Sequence, residues 1–308
     1  EPRLHALEPG KTGQQQPGAN QQHERQRDLG NQQPATQALP RSGGATARFF
    51  ERLHDVDARP VHALGPYGVA PDAIVINGQA RAYPKNIMEV HEMVNDTLGG
   101  RQIGIPYCTL CLSAQAYFTD QVPGFKPLLR TSGLLSRSNK FMYDRTTWSA
   151  VDTFTGRAIS GPLHKAGVTL PQTTVVISTW GAWRKAYPRT TILAEDGGVG
   201  RSYPLNPLGG RDDNGPIFPV GDVDPRLPVH EVVLGVTAPD GKPLAFPRVA
   251  VQLALGAGEP VRMGGVEVRR AAAGLRAFAG KAELPSHEAF WFAWSQFKPG
   301  TGLWQRAR

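Results

Sequence analysis

The chain has 308 residues, 40% of them hydrophobic, and a formal net charge of +8. That length supports one large core or two modest domains. No stretch approaches the roughly 18 apolar residues that a spanning helix needs, and no Lys/Arg run, zinc-finger, RRM or helix-turn-helix pattern points to nucleic acid.

Residues 1–46 are rich in Gln, Pro, Gly, Asn and Arg and nearly free of large apolar side chains. Such a segment cannot bury enough surface to offset its ordering entropy, so it reads as a disordered arm and a candidate docking segment for a protein partner. The chain opens on Glu1 rather than methionine, which suggests a processed or truncated form. Residues 47–308 read as one globular domain. Order is expected to begin near "ARFFERLHDVD", with Phe49, Phe50 and Leu53 on one side of a short helix. "AIVINGQARAYP" combines an apolar run, an Asn-Gly turn and alternation through Ala80, Ala82 and Tyr83, which predicts a hairpin. "KNIMEVHEMVNDTLGG" has Ile87, Val90, Val94 and Leu98 at helical spacing and predicts a helix of about three turns ended by Gly99-Gly100. "RQIGIPYC" is a strand that arrives at the cysteines. "AQAYF", "AISGPL" and "TTVVISTW" are further strand candidates, and "TWGAWRKAYP" is a short helix stopped by Pro188.

The hairpin pattern recurs. Asn77-Gly78 followed by Ala82-Tyr83-Pro84 is echoed by Asp240-Gly241 followed by Ala245-Phe246-Pro247, each after a short apolar strand. This predicts a mostly β, α+β fold of two related halves with a few short helices. The first half, about 55–200, carries the chemistry. The second, about 201–301, has no counterpart to the helix histidine or the cysteines and reads as scaffold.

Cys108 and Cys111 are the only cysteines. Cys-x-x-Cys can clamp a metal, cycle between dithiol and disulfide, or serve as an inert staple. His91 and Glu92, on the helix predicted upstream, could approach the pair, and Met142 in "FMYDR" is a candidate axial ligand. Thiolate, imidazole and thioether together favour copper, with zinc or no metal as alternatives. Asn95 and Asp96 are nearby polar candidates. The order His91-Glu92 without a spacer, and Tyr107 between Pro106 and Cys108, exclude the zinc deaminase signature. A strand rather than a helix after Cys111 argues against a thioredoxin fold, but not against dithiol catalysis by Cys108 and Cys111. Arg145 and Arg201 are candidates for gripping an anionic group. No dinucleotide fingerprint, P-loop or nucleophile elbow is present.

These segments, together with "SGLLSRSNKFMYDRTT", "RSYPLNPLGG" and "AFWFAWSQFKPGT", resemble the DUF3179 family over roughly Asp55 to Thr301. The resemblance marks His91, Glu92, Asn95, Asp96, Cys108, Cys111, Ser113, Met142, Tyr143, Asp144 and Arg145 as shared positions. Members usually read Cys-Pro-Leu-Cys-Gly, where this chain has Thr109 and Leu112. The family brings no established reaction. Its members are often exported or lipid-anchored, which implies an extracytoplasmic protein. The reading that results is an extracytoplasmic Cys/His metal protein, with copper held by His91, Cys108, Cys111 and Met142. Glu92, Asn95, Asp96, Ser113, Tyr143, Asp144, Arg145 and Arg201 would lie around it or contact a substrate. A metal-free dithiol oxidoreductase and an accessory subunit docked through residues 1–46 are the alternatives.

Overall fold

A computed structural model describes residues 72–193, 200–204, 207, 216, 218, 220–271 and 273–307, all within one compact unit, Leu39–Arg308. The N-terminal arm and the helix expected around Phe49, Phe50 and Leu53 lie outside the described residues. The described part is mostly β, with short helices only.

Strands β1 (Asp72–Ile76) and β2 (Gln79–Tyr83) form the expected hairpin. Asn77 (φ 48°) and Gly78 (φ 76°) are both left-handed, the turn whose twist matches the flanking strands. Pro84, with φ −59°, opens α1 (Lys85–His91). The chain then departs from the sequence expectation of a helix of about three turns. Glu92 adopts φ 58° and ψ 7°, the helix stops, and β3 (Met93–Leu98) begins. Val94, Asp96 and Leu98 point inward with a period of two, and the Gly99-Gly100 turn joins β3 to β4 (Arg101–Cys108) instead of capping a helix. After β5 (Ser113–Ala114) and β6 (Ala116–Phe118) comes an excursion built of β7 (Leu129–Ser136), β8 (Asn139–Asp144), β9 (Ala150–Asp152) and α2 (Gly161–Lys165). "AISGPL" therefore gives only an isolated bridge at Ala158 before α2. "TTVVISTW" contributes little more than the end of β10 (Gln172–Thr173) to a ladder. The predicted helix before Pro188 is α3 (Trp180–Ala186), followed by β11 (Thr191–Ile192).

The second half runs β12 (Val232–Thr237), β13 (Pro243–Pro247), α4 (Arg248–Gly256), β14 (Val261–Met263), β15 (Val266–Ala271), β16 (Gly274–Ala279), β17 (Ala282–Leu284), β18 (Ser286–Phe290), α5 (Trp291–Phe297) and β19 (Gly302–Leu303). Its plan repeats the first. Pro247 opens α4 as Pro84 opens α1. Gly264-Gly265 turns β14 into β15 with φ 57° and 76°, the same pair of angles as at Gly99-Gly100. Sheet order β10-β6-β4-β3 is matched by β17-β16-β15-β14. Strand β11 runs parallel to β2, as β19 runs parallel to β13.

The clearest repeat is one the sequence reading passed over. Trp180-Gly181-Ala182-Trp183 and Trp291-Phe292-Ala293-Trp294 open equivalent helices. In each, the second tryptophan's Nε1 donates to a threonine on the way to the last strand: Trp183 to Thr190 at 2.8 Å and Trp294 to Thr301 at 2.9 Å. A matched pair should behave alike. Thr190→Val and Thr301→Val are each expected to lower stability by about 1–2 kcal/mol, since each leaves a buried indole N–H unpaired. Urea unfolding of both variants checks this, and a large difference between them would argue against equivalence.

The halves keep separate cores. Ile74, Tyr83, Ile87, Ile103 and Ile105 anchor one, and Leu234, Phe246, Val251, Val268 and Leu275 the other. A third cluster forms between them, where Cys108 and Cys111 meet Phe154, Val233, Phe290, Trp291, Phe292 and Trp294. Among the described residues no helix is long and apolar enough to cross a membrane.

Candidate functional site

Strand β4 is buried without interruption from Ile103 to Cys108, so it delivers Cys108 to the interior. The chain turns at once: the Cys111 amide donates to the Cys108 carbonyl at 3.2 Å, and Leu112 is left-handed with φ 48°. Strand β5 then folds back, setting Ser113 opposite Cys108. In the second half the corresponding link, between β15 and β16, is only a short turn, so the cysteine loop is an elaboration of the first copy. The Phe290 amide of β18 donates to the Cys111 carbonyl at 2.9 Å and fastens the loop to the second half.

Both thiols are free and completely buried. Their sulfurs converge on the Ser138 carbonyl oxygen, at 3.8 Å from Cys108 and 3.4 Å from Cys111. Burial alone raises both pKa values, because it disfavours thiolate. At Cys108 the Cys111 thiol and the amides of Lys140, Cys111 and Leu110 outweigh burial, and its pKa falls below the ordinary value. At Cys111 burial, the hydrogen bond it gives Cys108 and the negative charges of Cys108 and Asp152 add together and push its pKa well up. The two sites therefore differ, with Cys108 the more acidic thiol of the pair.

Beside the loop stands an ion pair. The Glu92 carboxylate contacts the Lys140 ammonium and accepts from Thr109 Oγ, inside the cysteine loop, at 3.4 Å. The left-handed turn at Glu92 aims this side chain, and its carbonyl accepts the Tyr107 amide at 3.1 Å. Lys140 is buried, and burial depresses its amine well below the ordinary lysine range.

The other expected site residues are placed elsewhere. His91 is bonded to the Tyr203 hydroxyl, with ring centroids 5.4 Å apart. Burial and the Arg201 charge lower its pKa, and Arg201 itself lies over the Tyr203 ring at 5.8 Å. Met142 is packed with Tyr117, Leu129 and Val151 in the core of the excursion. Among the described residues no group of three or more His, Cys, Asp and Glu side chains is arranged to hold a metal ion, so the ligand set expected from the sequence is not assembled. Asn95 brackets the Leu129 backbone at 2.9 and 3.0 Å. Asp96 accepts from the Tyr83 hydroxyl at 2.8 Å and pairs with Arg81. Asp144 organises a tight turn through the amides of Leu128, Thr146 and Thr147. Tyr143 stacks on Trp148 at 5.5 Å, and Arg145 is exposed. Ser113 sits in the cysteine loop, fully buried, with no partner for its hydroxyl among the described residues.

The sequence reading missed Lys140, Thr109 and the Ser138 carbonyl. A signal was present for Lys140: it alternates with Met142 and Asp144 on the inward face of β8.

The family model "Protein of unknown function (DUF3179)" matches residues 72–272, more than half of the chain, and the chain belongs to this family. No curated protein and no solved structure matches it significantly.

Proposed function

We propose that Cys108 and Cys111 form a dithiol/disulfide redox pair, with Cys108 as attacking thiolate and Cys111 as resolving thiol. The observation that carries this reading is geometric: two free, buried thiols three residues apart, with both sulfurs converging on the Ser138 carbonyl oxygen. The lower pKa at Cys108 supports its choice as attacking group. In the exchange, the Cys108 thiolate attacks one sulfur of an external disulfide and expels the other as thiolate. Cys111 then loses its proton and attacks the Cys108 sulfur of the mixed disulfide. The products are an intrachain disulfide and two external thiols. Because both side chains are enclosed, the external partner is a small disulfide admitted as the loop shifts at half-buried Leu110 and Leu112. An extracytoplasmic location, expected from the family resemblance, would supply such an oxidant.

A second reading rests on a different observation. Two sulfurs directed at one carbonyl oxygen make a compact soft site, and the Cys108 and Cys111 thiolates suit a two-coordinate copper(I) ion, with zinc less suited for want of further ligands. His91 and Met142 take no part in it. Thiol counting in glutathione buffers, together with elemental analysis of protein purified without chelator, separates the readings. Reversible loss of both thiols without metal supports the redox pair. One copper per chain with both thiols shielded replaces it, and two inert thiols without metal reject both. Under the redox reading, neither Cys108→Ser nor Cys111→Ser can form the intrachain disulfide, and thiol counting in the same buffers shows its loss.

A further inference from the structure

The cleft between the two halves contains an arginine whose donors are only partly used. Arg276 stands in the middle of β16 and is 7% exposed. Its Nη1 donates to Glu283 Oε1 at 2.6 Å. Its Nε and Nη2, the two donors of the other edge of the guanidinium, are buried and have no partner among the described residues. A buried donor without an acceptor is unfavourable, and two on one charged group mark a place where the folded chain supplies no acceptor.

Arg276 lines a cavity of about 440 Å³, within the roughly 300–1,000 Å³ of small-molecule sites. Val75, Thr173 and Tyr187 come from the first half, Phe278 and Pro285 from the second. The cavity's walls are mixed: Val75, Phe278, Pro285 and the Tyr187 ring supply an apolar side, and the hydroxyls of Thr173, Thr174 and Tyr187 stand with the Glu283 carboxylate and the cationic fork.

We propose that this cleft binds a small organic acid, its carboxylate held side-on by Nε and Nη2 of Arg276 and its apolar body lying against Val75, Tyr187, Phe278 and Pro285. Two parallel N–H donors match the two oxygens of a carboxylate. Glu283 already occupies the Nη1 side, so the remaining positive field suits one negative charge better than the two of a phosphate. The proposal is independent of the cysteine pair, which it does not use.

The test is calorimetric titration of the full chain with benzoate and hexanoate. Saturable binding of at least one acid is expected. Arg276→Lys keeps a cation for Glu283 but removes the side-on pair of donors, and should weaken binding at least tenfold with thermal unfolding little changed. If that variant fails to fold, Tyr187→Leu on the opposite wall should weaken binding severalfold without touching the arginine. Absence of saturable binding by either acid overturns the proposal, as does binding indifferent to these substitutions. Displacement of the bound acid by an equal concentration of inorganic phosphate overturns the carboxylate assignment.

Discussion

Glu92→Gln is expected to destabilise the protein by about 3 kcal/mol at neutral pH, the range for removing one partner of a buried ion pair. The reason is Lys140. Its side chain is 9% exposed and that of Glu92 22%, so the glutamine variant leaves an ammonium with little water and no counter-charge. The sign of the pH dependence follows. Burial holds the folded lysine's pKa well below its unfolded value, so the unfolded chain binds more protons across that interval and stability rises with pH. In Glu92→Gln the deficit is therefore largest below the depressed pKa and fades as pH climbs toward the ordinary lysine value of about 10.4. Lys140→Met should cost less, because the more exposed Glu92 carboxylate can recover water, and the double variant should cost less than the sum. Denaturant unfolding of the three variants at two pH values measures all of this. A deficit in Glu92→Gln that does not shrink at alkaline pH would show that the buried ammonium is not its cause.

Gly235→Ala should be comparably damaging for a different reason. A Cβ at Gly235 would lie 2.1 Å from two carbons of the Trp294 ring and 2.5 Å from a third. Trp294 cannot retreat: it is 1% exposed and its Nε1 is held by Thr301. Overpacking a closed core costs about 1–3 kcal/mol and more where nothing yields, and about 3 kcal/mol is expected here. Trp294→Phe removes part of the offending ring, so Gly235→Ala should cost much less in that background. A full double-mutant cycle on thermal unfolding gives the coupling, and additive effects would place the strain elsewhere.

Several elements could be read from the sequence because their signals were local. The Asn77-Gly78 hairpin, the strand into Cys108 and the helix before Pro188 each depend on a turn residue or a periodicity contained within the element. The long helix after Pro84 failed because Ile87, Val90, Val94 and Leu98 satisfy two periods at once. Spacings of three and four suit a helix, yet Val94, Asp96 and Leu98 also alternate, and pairing with β4 along the whole of β3 decided for the strand. No propensity marks Glu92 as the left-handed residue where the change occurs. At the site, the Cys108/Cys111 pair was evident from composition alone. Its electrostatics were not, because the amide of Lys140 and the carbonyl of Ser138 come from a hairpin some thirty residues away along the chain. His91 and Met142 were attractive as ligands by type, and the fold assigns them to Tyr203 and to the core of the excursion.

The loop's fastening to β18 sets a boundary for any shortened form of the protein. Phe290, which bonds the cysteine loop, and Trp291, Phe292 and Trp294, which close over it, all follow the stretch 72–272 by which the family is matched. A recombinant fragment cut at the end of that stretch would retain both cysteines, their amide donors and the Glu92–Lys140 pair. It would lose the wall that keeps water from them and the strand that completes the β12–β13 sheet. The smallest piece able to reproduce the enclosed cysteine pair thus extends through α5, about 25 residues past the last matched position.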